Sequence, residues 1–211
     1  MKKMTRQTIV HDGDSLTFVD TTEVDKYLGI RRYDSSALTP VDKAEADKYI
    51  QKYGRSALAN YLSDLGGDKE RDLKLVKHFI FQGVDMNAGN TPSLHWATEN
   101  GHIEIVSLLV SNGANVNVQD CYNGTPLHII ALGFGTIEIA QLLISRGADV
   151  NAKNKNGNTP LHNAVQNRTV EVVRLLVSKG ADVNAKNKNG NTPTDIAHGQ
   201  NRDEIMRILQ M

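Results

Sequence analysis

The 211-residue chain has one cysteine, Cys121, one tryptophan, Trp96, five prolines and an aromatic fraction of only 5%. A single thiol excludes an internal disulfide framework and a thiolate-rich metal site, and it fits a reducing, intracellular setting. Charge of one sign is also missing. Lys plus Arg and Asp plus Glu number 24 each, so no global field draws the chain to nucleic acid, an anionic membrane or an acidic substrate. No apolar run is long enough to span a bilayer. The basic start Met1-Lys2-Lys3 is followed by Asp12 and Asp14 before an apolar stretch develops, which leaves no secretory signal pattern. There is no glycine-rich phosphate loop closing on Lys-Ser or Lys-Thr, no HExxH and no GxSxG elbow. The expectation is a globular, non-enzymatic chain with no cofactor and no metal site.

What the sequence does contain is repetition. Gly147 to Pro160 reads GADVNAKNKNGNTP and recurs letter for letter from Gly180 to Pro193, an offset of 33 residues. The same signature stands at Gly83 (GVDMN) and Gly113 (GANVN), and between these lie TPLHII from Thr125, TPLHNA from Thr159, the degenerate PSLHWA from Pro92 and TPTDIA from Thr192. Thr159 suits a helix N-cap and Pro160 the first helical position, where its missing N–H costs nothing. Leu161, Ala164 and Val165 follow at helical spacing, and Val170, Val172, Val173, Leu175, Leu176 and Val177 form a second helix apolar around much of its circumference. Gly180 suits the stop, and Asn189-Gly190 a tight turn.

These linked positions resemble the ankyrin-repeat family, whose unit is a hairpin-like turn and two antiparallel helices. The near-identical, Asn- and Lys-rich copies are similar to arrays of intracellular bacteria. The resemblance implies an all-α solenoid of four to five repeats over residues 56–211, with units near 56–88, 89–118, 119–152, 153–185 and 186–211. The first and last units read as degenerate caps. Only Ala88 to Pro92 separate Asn87 from the next helix, three residues fewer than in later repeats, so that hairpin should be truncated. An extra residue falls near Leu132-Gly133-Phe134-Gly135, where a bulge is expected.

Residues 1–55 match no family and read as an N-terminal extension or cap. Gln7 to His11 and Leu16 to Val19 flank Asp12-Gly13-Asp14-Ser15 as a short β-hairpin. Thr39-Pro40-Val41-Asp42 starts a helix that Gly54 stops. A second functional reading stays open at this point, in which the repeats are a targeting arm for an effector- or toxin-like activity in this segment.

His95, His128 and His162 recur once per repeat, which invites a metal or relay reading. Their place in the TPLH motif instead implies structural histidines bonding to threonine and backbone. Cys121 has no base beside it in the sequence, and Trp96 is expected to pack in the core. The resemblance implies a protein partner bound by a monomer on a concave face made of hairpin tips and first helices. By register that face comprises Glu99, Asn100, Gln119, Cys121, Tyr122, Lys153, Lys155, Asn156, Asn158, Gln166, Asn167, Lys186, Lys188, Asn189 and Asn191. The four lysines form a small basic stripe; neutral overall charge makes nucleic acid an unexpected partner.

Overall fold

A computed structural model describes residues 7–12, 15–20, 38–64 and 68–210. The chain divides into two units, Met1–Ala37 and Leu38–Met211. In the first, strands β1 (Gln7–Asp12) and β2 (Ser15–Asp20) pair antiparallel, with Gln7 opposite Asp20 and Asp12 opposite Ser15. The two alternating segments therefore pair as expected; the turn residues Gly13 and Asp14 lie outside the described residues.

The second unit opens with helix α1 (Pro40–Tyr53). Thr39 caps it in a reciprocal box: the Asp42 N–H donates to the Thr39 hydroxyl oxygen at 3.2 Å, and that hydroxyl donates to the Asp42 carboxylate at 2.7 Å. Gly54, at φ 54°, ends it. The helix lies against α2 (Ala57–Ser63) and α3 (Lys69–Phe81). Arg71 of α3 reaches Asp42 at 2.7 Å and Glu45 at 2.5 Å, and the Tyr49 ring meets Tyr61 edge-on at 5.5 Å. So α1, from the segment assigned to an extension, is docked on the first repeat. The lengthened turn expected before α3 contains Gly66 and Gly67, which lie outside the described residues; Asp68 caps α3 by accepting from the Arg71 N–H.

Four further pairs follow: α4 (Ser93–Glu99) with α5 (Ile103–Ser111), α6 (Pro126–Ala131) with α7 (Ile137–Ser145), α8 (Pro160–Asn167) with α9 (Val170–Ser178), and α10 (Pro193–Ile196) with α11 (Arg202–Leu209). First helices stack in one row, α2, α4, α6, α8 and α10, and second helices in another, α3, α5, α7, α9 and α11. This is an all-helical solenoid, as the repeat pattern predicts. Leu58, Leu62, Leu75, Phe79, Leu94, Leu109, Ile139, Leu143, Leu161 and Leu176 are buried between the rows, each worth about 1.5–3 kcal/mol of transfer from water. The last helix turns Ile205, Ile208 and Leu209 inward and leaves Arg202, Asp203, Glu204 and Arg207 exposed, the polar outer side expected of a terminal repeat. Among the described residues no helix is long and apolar enough to cross a membrane.

Candidate functional site

The face that presents the candidate residues is built by hairpins held from inside by one side chain each. The first carboxylate or amide oxygen of Asp120, Asn154 and Asn187 accepts from the backbone N–H groups two and four residues ahead, at 2.7–3.1 Å. The same residues' N–H groups donate to Gly124, Asn158 and Asn191 carbonyls and close each hairpin. Neighbouring hairpins are then joined by single backbone bonds: Cys121 N–H to Asn90 O, Lys155 N–H to Tyr122 O and Lys188 N–H to Asn156 O, at 2.8–3.0 Å. Gly157 must be glycine here. Its φ is 72°, and a Cβ would stand 2.9 Å from the Lys188 backbone nitrogen.

At the opposite end of each hairpin, asparagine side chains bind repeat to repeat. Asn117 donates to Gly147 O and accepts from Asp149 N–H, and Asn151 does the same with Gly180 and Asp182. The truncated hairpin at 88–92 is five residues long, as its spacing predicts, and Asn87 accepts from Asn115 N–H.

The recurring histidines tie hairpin to helix. His128 and His162 place Nε2 at 3.0 Å from the Asn158 and Asn191 carbonyls of the next repeat, and His95 lies 2.8 Å from Gly124 O. A carbonyl can only accept, so Nε2 carries the proton and Nδ1 is the acceptor. That nitrogen receives the N–H and hydroxyl of Thr125 or Thr159, with hydroxyl distances of 2.9 Å. Burial pushes the pKa of all three below the usual imidazole value, against the raising effect of the carbonyl contact. They are neutral structural links, and among the described residues no His, Cys, Asp or Glu cluster could hold a metal.

The second repeat breaks this rule. Its extra Ser93 puts Pro92 at the N-cap, where there is neither an N–H nor a hydroxyl. The Nδ1 of His95 is consequently buried with no partner, as are the Ser93 and Thr98 hydroxyls. In the last repeat Asp195 stands in the histidine's place and accepts from the Thr192 hydroxyl and N–H, both at 2.8 Å, which holds its carboxyl below the usual range.

Of the candidate residues, Asn100, Gln119, Cys121, Tyr122, Lys153, Lys155, Asn156, Gln166, Asn167, Lys186, Lys188 and Asn189 are exposed, while Glu99, Asn158 and Asn191 are half-buried. Asn156, Asn158, Gln166, Lys188, Asn189 and Asn191 come together in one open groove of about 630 Å³, completed by Asn187, Asp195, Ile196 and His198. Lys153 instead donates to the Lys186 carbonyl at 2.9 Å, and Lys155 lies over the Tyr122 ring, 5.9 Å from its centroid. Glu99, Asn100, Gln119 and Asn167 lie outside that groove.

Two features escaped the sequence. Trp96, expected in the core, is half-buried and lines a second groove with Asn60, Asn90 and Thr91. Leu132 and Phe134 are 41% and 50% exposed in the widened turn after α6, in the repeat that also carries Tyr122, 70% exposed. The extra residue bracketed by Gly133 and Gly135 was the signal: both glycines have positive φ and turn the intervening side chain outward.

The family model for ankyrin repeats in three copies matches residues 67–154 and 129–211. An ankyrin repeat protein of Acanthamoeba polyphaga mimivirus is 32% identical over 112 residues, covering 50% of this chain and 32% of the relative. One from Rickettsia felis is 35% identical over 57 residues, 27% of this chain and 32% of the relative. The chain thus spans about a third of the length of these curated relatives. Helix pairs in two stacked rows, threonine–histidine caps repeated in register and a family model covering residues 67–211 establish that this chain belongs to the ankyrin-repeat family.

Proposed function

We propose that the chain is a non-enzymatic scaffold that binds a protein partner on the face formed by its hairpin tips and first helices. Ankyrin repeats are generally protein–protein interaction modules. The observation that supports the reading for this chain is the exposure of Tyr122, Leu132 and Phe134 within one central repeat, when nearly every other large apolar side chain of the repeats is covered. Exposed aromatic and aliphatic groups rimmed by polar ones are the usual anchors of an interface. Here Lys155 of the next hairpin lies over the Tyr122 ring. The hairpin and histidine bonds hold these groups in place before binding, so little ordering entropy opposes association.

The test is affinity capture with the intact chain and two variants, one carrying alanine at Tyr122, Lys155, Gln166 and Lys188, the other Leu132→Ser with Phe134→Ser. Circular dichroism first establishes that all three are folded. A partner held by the intact chain and lost by either variant supports the reading. A partner held equally by all three overturns it and turns attention to residues 1–55 or the opposite face.

A further inference from the structure

We infer that the groove between the hairpins of the fourth and fifth repeats, 154–158 and 187–191, takes an extended peptide segment with closely spaced Asp or Glu side chains, an inference that rests on the protein-binding reading above and names its partner's chemistry. The side-chain amides of Asn156, Gln166, Asn189 and Asn191 line this groove and have no hydrogen-bond partner within the described residues. An amide both donates and accepts. Four of them along one groove match the alternating N–H and C=O groups of an extended backbone, whichever side chains it carries.

Selectivity comes from charge. Lys153, Lys155, Lys186 and Lys188 project from these two hairpins, and none has a carboxylate partner among the described residues. Within the groove itself one carboxylate is set against them, Asp195, already satisfied by Thr192. The chain as a whole is neutral, so this face is locally positive and complementary to a short acidic segment. The acidic side chains face Lys155 and Lys188 at the hairpin tips, and the part of the segment over Asp195 and Ile196 is uncharged. A single-stranded nucleic acid fits less well. Its bases stack best on large aromatic platforms, whereas no Phe, Tyr or Trp lines the groove and His198 is its single aromatic ring.

A random linear peptide library displayed and selected on the full chain tests this. Recovered peptides should be enriched in Asp and Glu. A labelled representative, titrated by fluorescence anisotropy, should weaken by about tenfold or more in Lys155→Glu/Lys188→Glu and bind less tightly at high salt. It should weaken several-fold in Gln166→Ala/Asn189→Ala. All four positions are exposed, and circular dichroism checks the fold. Peptides lost in the Gln166/Asn189 variant but without acidic enrichment, and indifferent to lysine reversal, would overturn the inference and leave the protein-binding reading standing. Peptides unaffected by every substitution on this face, or none recovered, would count against both. Displacement of the peptide by a random single-stranded RNA oligonucleotide at lower concentration than by unlabelled peptide would overturn it in favour of nucleic acid.

Discussion

Pro92→Thr should stabilise the protein, because it supplies what the second repeat lacks. Pro92 sits at φ −63°, ψ 159°, close to the cap geometry of Thr159 at φ −85°, ψ 165°, so a threonine fits the backbone unaltered. Its hydroxyl and N–H would both donate to the Nδ1 of His95, now buried and unpartnered. A helix-capping threonine contributes about 1 kcal/mol over a non-capping residue, and giving a buried acceptor its partner removes a penalty of about 1–3 kcal/mol. Against this, losing proline loosens the unfolded chain at a cost of about 0.4–1 kcal/mol. The net gain is about 1–3.5 kcal/mol, which for a chain of this size raises Tm by a few degrees to roughly 10 °C. Urea and thermal unfolding followed by far-ultraviolet circular dichroism read it, with Pro92→Ala as the control that removes the ring without adding a hydroxyl. If Pro92→Thr is no more stable than Pro92→Ala, the threonine–histidine cap is not the stabilising element inferred here.

Thr159→Val removes the same bond where it exists, between Thr159 Oγ1 and His162 Nδ1, and should cost about 1–3 kcal/mol in urea unfolding. Gly135→Ala should be more severe: φ is 73° and the added Cβ would come 2.4 Å from the Thr98 carbonyl oxygen. A left-handed, sterically blocked backbone costs on the order of 1–3 kcal/mol before any clash is relieved, and an unchanged Tm would refute it. Tyr61→Phe leaves the buried Asp72 carboxylate without its 2.6 Å donor and should lower Tm while leaving circular dichroism at low temperature unchanged.

The pH dependence has a definite sign. Burial lowers the folded pKa of His95, His128 and His162 below the ordinary imidazole value of about 6.5, so below that pH the unfolded chain binds more protons than the folded one. Their contribution is full above this value and is lost as pH falls towards the folded pKa values. Urea midpoints measured between neutral and mildly acidic pH should fall steeply; a flat profile would show that the histidines are not buried neutral links.

Helix starts at Thr125, Thr159 and Thr192, the Asn-Gly turns and the short hairpin at 88–92 were all readable, because each depends on residues close in sequence. The destinations of the histidine Nε2 protons and the asparagine amides were not, since they lie about one repeat away and only the stack brings them together. His95 looked equivalent to His128 by its LH context. The one-residue shift that put proline at its cap shows its effect only once the cap is built. Trp96 and Phe134 escaped for a related reason: periodicity assigns a side chain to a face, but whether a neighbour covers it depends on loop lengths in the adjoining repeat. Half-burial of Trp96 reflects the shortened hairpin at 88–92 beside it.

The identical segments 147–160 and 180–193 also bear on how such an array changes length. Their asparagines, aspartates and hairpin residues are the very groups that join one repeat to the next, so a crossover within them rejoins matching surfaces. Excision of residues 154–186 would restore the string NAKNKNGNTP across the junction and remove 33 residues, one whole repeat. Loss or gain of such a segment would therefore change the extent of the exposed hairpin face in whole repeats, leaving every repeat-to-repeat junction with the same matching groups.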